Sequence, residues 1–195
     1  MLISREREKL CQAIVFFAQN TRKLGKTKLF KLLYFLDFEH FKLRGRSVTG
    51  SEYFAWPRGP VPKALFEEFE NPGEDLLHCV QFSKIATQRG GMNKVTSKTK
   101  FDSRVFSRRE LAIMKSLAER YLDSTADEMI EQTHLENRPW HQIYEVSGRR
   151  QAEIPYELAL NRQEVEQMQR QVRERDEVLK NYKTTKRDGS RNNTF

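Results

Sequence analysis

No uncharged apolar run approaches the roughly twenty residues that a membrane span requires, and the opening MLISREREKL lacks the hydrophobic stretch of a secretory signal. The expectation is a soluble, cytoplasmic protein with no membrane association. Cysteine is almost absent. Cys11 and Cys79 stand far apart, with no Cys or His cluster around them, so neither a disulfide framework nor a zinc site is suggested. Both read as small buried hydrophobes. There is no Gly-rich phosphate loop, no Gly-x-Ser-x-Gly elbow and no Cys-x-x-Cys. The usual sequence traces of a catalyst are therefore missing, and the expectation is a binding protein with no catalytic residue, no metal and no cofactor.

What is present is charge and a concentrated core. The hydrophobic fraction is 37% and the charged fraction 32% over 195 residues, which suits one domain plus a solvated extension. Apolar residues crowd between Leu10 and Phe69 and thin out after Glu145. The net charge of +8 is unevenly spread. Residues 1–31 carry +6, residues 84–109 carry +7, and residues 119–136 carry −5. Such segregation steers a charged partner or pairs internally.

Ile3, Leu10, Ile14 and Phe17 form one stripe of an amphipathic helix over about 4–19. The run KLFKLLYFLDFEHFKL, Lys28 to Leu43, places apolar or aromatic side chains on every face, which predicts a buried central helix stopped by Gly45. The segment WPRGPVP, with three prolines and a glycine, argues against regular structure. A short helix from Pro62 carries Val61, Leu65 and Phe69 on one face and ends at Asn71-Pro72-Gly73. The runs Leu77–Ile85 and Lys94–Phe101, linked through Gly90-Gly91, predict a β-hairpin. Three helix starts share a capping box: Ser107 with Glu110, Thr125 with Glu128, and Asn161 with Glu164. Val165, Met168, Val172, Leu179 and Tyr182 give a further helix a 3-4 stripe interrupted by Arg175. The expected fold is mainly α with a small antiparallel β-hairpin: a helical domain over 1–150 around the central helix, an extension helix over 151–183, and a disordered basic tail over 184–195.

Several constellations allow both a functional and a structural reading. Asp37 and His40 share a face of the central helix, and His134, Glu136 and His141 lie close together later. Their spacing matches no metal motif, so Asp37 is expected to hydrogen-bond a backbone or hydroxyl group instead. Lys84, Arg89, Lys94, Lys98, Lys100 and Arg104 could contact phosphates, with Phe82 and Phe101 stacking on bases; charges on a hairpin also guard a sheet edge. Tyr53, Phe54, Trp56, Arg58 and the proline turn collect residue types favoured in interface hot spots, and equally types that plug a core. Trp140 carries the same two readings.

Thr27-Lys28-Leu29, Lys31-Leu32-Leu33-Tyr34-Phe35, Asp37 and His40, then Gly45, Tyr53 and Gly59-Pro60-Val61-Pro62, resemble the Panacea domain, the SocA-like antitoxin domain formerly labelled phage-associated. His134-Leu135-Glu136 and Pro139-Trp140 resemble its closing motif, so the likeness spans about 8–145. Arg58 departs from it, standing where an aromatic or polar residue is expected. The resemblance implies a bacterial or prophage antitoxin that neutralises a cognate toxin by direct contact. Leu29, Leu32, Leu33, Tyr34, Leu36, Asp37, His40 and Trp140 are then the structural core. Tyr53, Trp56, Arg58, Pro60, Lys84, Lys94 and Lys98 are the expected partner contacts. The helix 162–182, beyond the resemblance, is a second contact element or a means of homo-oligomerisation. A nucleic-acid-binding regulator and an adaptor that delivers a client to a protease are the competing readings.

Overall fold

A computed structural model of the chain describes residues 5–87, 90–135 and 138–160. The described residues are mainly α with two small antiparallel sheets. Contacts divide it into one unit reaching Ala159 and a second over 160–195. The Asn161 cap, the stripe over 162–182 and the basic tail lie outside the described residues.

Helix α1 (Glu6–Asn20) buries Leu10, Ile14 and Phe17 of the predicted stripe, whose first member, Ile3, lies outside the described residues. Helix α2 (Lys26–Arg44) is enclosed by its neighbours, with Leu29, Leu32, Leu33 and Leu36 wholly removed from water. Each such side chain stabilises the fold by roughly 1.5–3 kcal/mol through lost apolar hydration. Gly45 ends α2 in the left-handed conformation, φ 65°, with its amide on the Phe41 carbonyl.

The segment after α2 is regular, contrary to the sequence expectation. β1 (Tyr53–Trp56) pairs antiparallel with β2 (Gly59–Pro62). The prolines are tolerated because of register. Ala55 exchanges its amide and carbonyl with Ala152 and Gln151, and Tyr53 accepts from Ile154, so both face away from β2. Their partners, Pro60 and Pro62, therefore occupy pairs that need no ladder N–H from β2. The segment 151–154, which fixes this register through an isolated bridge between Glu153 and Phe54, belongs to the first unit, which reaches past the expected boundary at residue 150. No α-helix forms over 151–160; a 3-10 turn, Tyr156–Ala159, packs Tyr156 on Phe38 and Phe41.

Helix α3 (Lys63–Glu68) begins one residue after Pro62, and α4 (Glu74–Cys79) takes residues expected to open the second hairpin. That hairpin comprises β3 (Val80–Thr87) and β4 (Gly90–Ser97), so Lys98–Phe101 fall outside it. Helices α5 (Arg108–Arg120) and α6 (Ala126–His134) start with the two predicted capping boxes, Ser107 with Glu110 and Thr125 with Glu128. The short α7 (Pro139–His141) runs into a wide turn over Gln142–Val146.

Candidate functional site

The residues singled out in the sequence separate into a buried frame and a surface it supports. At the centre of the frame, Asp37 accepts from the amides of Val48 and Thr49, both at 2.8 Å, from the Thr49 hydroxyl, and from the Tyr53 phenol at 2.7 Å. Burial pushes its pKa up, and the four donors oppose that rise. The carboxylate thus ties the middle of α2 to the chain entering β1. One turn on, His40 presents Nδ1 to the Arg46 carbonyl at 2.8 Å. A carbonyl can only accept, so Nδ1 carries the proton, and burial holds the ring's pKa down. Asp37 and His40 therefore have separate protein partners. Among the described residues, no three His, Cys, Asp or Glu side chains converge as a metal site would require; Glu136 lies outside them.

Tyr53 and Pro60 were expected at the contact surface, and the structure moves both inward. Tyr53 is wholly buried because its hydroxyl serves Asp37, and its ring packs edge-on against Tyr34 and Phe38. Pro60 is buried because its carbonyl, turned away from β1, accepts from the Lys31 ammonium at 2.8 Å. Lys31 lies at 1% exposure, and burial with the nearby Arg58 charge lowers its pKa to about 7.

In the sequence Lys31 stands out only as part of the family resemblance, with no site role of its own. The signal was available, since a helix apolar on every face must find acceptors for its internal lysines. Lys28 does so too, donating to the carbonyls of Arg22 and Leu122.

The turn joining β1 to β2 is clasped from its other side. Trp140 donates its indole N–H to the Trp56 carbonyl at 2.9 Å and is stacked between His134 and Tyr144. At Gly59 the backbone φ is +89°, and a Cβ would lie 2.6 Å from Thr133 Oγ1 and 2.8 Å from Lys31 Nζ. Only glycine fits there.

This frame presents Arg58 to solvent, paired with Asp127 at 3.3 Å, and leaves Trp56 half-buried. From Trp56 an aromatic ridge of half-buried rings, Phe66, Phe69 and, on β3, Phe82, is joined through the buried Phe30, with successive ring centroids 4.3–6.3 Å apart. The Lys26 ammonium sits over Phe66 at 3.7 Å, and Lys63 over Phe54 at 5.6 Å. The ridge connects the two surfaces that the sequence reading kept apart, the proline turn and the basic hairpin.

On the second hairpin, Lys84 and Lys98 are exposed and Lys94 is half-buried. Phe82 leans on Phe69, and Phe101 on Phe16 and Phe106, and both rings are half-buried. Among the described residues, no helix is long and apolar enough to cross a membrane.

The family model described as "Antitoxin SocA-like, Panacea domain" matches residues 29–141, from the second turn of α2 to the end of α7. No curated protein and no solved structure matches the chain.

Proposed function

The chain belongs to the SocA-like, Panacea-domain antitoxin family, and on that premise we propose that it is the antitoxin of a bacterial or prophage toxin–antitoxin pair. It neutralises a cognate toxin by binding it directly, without chemistry of its own. The contact surface is the β1–β2 turn, through Trp56 and Arg58, continued along the aromatic ridge to Lys84, Lys94 and Lys98. The observation that carries this reading is the division of labour around the turn. Asp37, Lys31 and Trp140 hold the hairpin rigidly from within, while a half-buried tryptophan and an exposed arginine face out. Tryptophan and arginine on a rigid support are the residues that dominate protein interfaces.

The basic hairpin alone also suits a phosphate backbone, but its two expected stacking platforms are half-buried, Phe82 against Phe69 and Phe101 against Phe16 and Phe106, and the family is one of antitoxins. Protein binding is the better-supported reading. Co-expression with the product of the adjacent reading frame tests it: rescue of growth and co-purification are expected, and failure of both would refute it.

A further inference from the structure

We propose that the outer edge of β3 receives an extended, acidic segment of the protein partner as an added strand. This rests on the reading of the chain as a protein-binding antitoxin and specifies how part of the partner is held.

The second sheet has two edges with different fates. On β4, the Val95 amide is spent on the Leu24 carbonyl and Lys94 bridges Gly25, so the 24–25 segment covers that side. Val95 pairs with Phe82, and because the Val95 amide points outward this pair is not bonded within the ladder. The two-residue alternation then turns the backbone groups of Phe82, Lys84 and Ala86 away from β4. The bond from the Lys98 amide to the Cys79 carbonyl agrees, assigning the odd-numbered positions of β3 to the ladder. Among the described residues, no strand pairs with that outer edge.

Natural sheets guard an open edge with proline, a bulge, a short strand, charged side chains such as lysine, or a covering helix or loop. β3 has eight residues in unbroken register, no proline, and Lys84 as its one charge. It is therefore a ready template for strand addition, in which backbone bonds supply affinity and side chains supply selectivity.

Charge selects the occupant. Residues 76–101 contain Lys84, Arg89, Lys94, Lys98 and Lys100 and no Asp or Glu. A second copy of the same edge would bring like charges together, which disfavours self-pairing. An extended segment with glutamate or aspartate at alternate positions complements it.

The probe is an octapeptide alternating valine and glutamate, titrated into the isotopically labelled full chain and followed by NMR, beside its valine–lysine counterpart. Saturable shifts centred on Phe82, Lys84 and Ala86 are expected from the acidic peptide, with exchange of those three amides slowed by about tenfold or more. The basic peptide should produce none. Lys84→Pro removes an outward amide without breaking a ladder bond and should abolish capture. Lys84→Glu keeps the backbone and should weaken capture of the acidic peptide, which decides the matter if the proline variant fails to fold.

No saturable shift with the acidic peptide, shifts mapped elsewhere, or undiminished binding by both variants would overturn the proposal. Growth rescue that survives both Lys84 substitutions removes strand addition and leaves the antitoxin reading standing. Peptide capture without rescue by the wild-type chain does the reverse.

Discussion

The ammonium of Lys31 lies 2.8 Å from the carbonyl oxygen of Pro60, bringing a nearly water-free amine from the N-terminal half of α2 to the outward side of β2. Its pKa is about 7, below the ordinary lysine value of 10.5. Between those values the unfolded chain binds the proton and the folded chain has lost it, so stability rises as pH rises through that window. The slope contributed by this one group reaches at most about 1.4 kcal/mol per pH unit. Lys31→Met should remove that slope. Denaturant unfolding of wild type and variant from neutral to alkaline pH checks it, and parallel profiles would exclude Lys31 as the source.

Asp37 satisfies three buried hydrogen-bond donors besides the Thr49 hydroxyl, and Asp37→Ala strands them. A loss of about 3–5 kcal/mol is expected. Tyr53→Phe removes a single donor and should cost about 1–2 kcal/mol. Both are measured by denaturant unfolding; a Tyr53→Phe cost equal to that of Asp37→Ala would mean that the phenol hydroxyl alone, and not the full set of donors, carries the role.

Gly59→Ala should destabilise by about 2 kcal/mol or more, since it combines a φ of +89° with contacts of 2.6 Å and 2.8 Å to Thr133 and Lys31. The double variant Gly59→Ala with Thr133→Ala should recover part of the loss, because one of the two contacts is gone. Thermal unfolding of the pair gives the answer, and no recovery would place the cost in the backbone and the Lys31 contact.

Local features of the fold were legible in the sequence, and features fixed at a distance were not. The capping boxes at Ser107 and Thr125 are written within four residues, and both stand in the structure. The stop at Gly45 and the burial of Leu29, Leu32, Leu33 and Leu36 follow from the same short-range logic. The β1–β2 hairpin does not. Its prolines forbid a strand until Gln151, Ala152 and Ile154 occupy the far edge of β1 and settle which pairs need an N–H. That long-range register also turned Pro60 inward, and the carboxylate of Asp37 drew in Tyr53. Trp56 and Arg58 remained at the surface because each contributes only backbone, or nothing, to the frame.

Arg58→Glu should separate stability from binding. The Arg58–Asp127 pair is exposed on both sides, so its loss should change stability by no more than about 1 kcal/mol. Partner recovery in a pull-down with the adjacent gene product should nevertheless fall sharply. Unchanged recovery would take Arg58 out of the interface.

Calorimetric titration of the purified product of the adjacent reading frame into the chain tests the antitoxin role most directly. Saturable binding by wild type, weakened by about tenfold or more in Trp56→Ala with Arg58→Glu while thermal unfolding of the double variant stays cooperative, is the predicted result. Absence of binding by the wild-type chain, or equal affinity for wild type and the double variant, would contradict direct neutralisation through the β1–β2 turn.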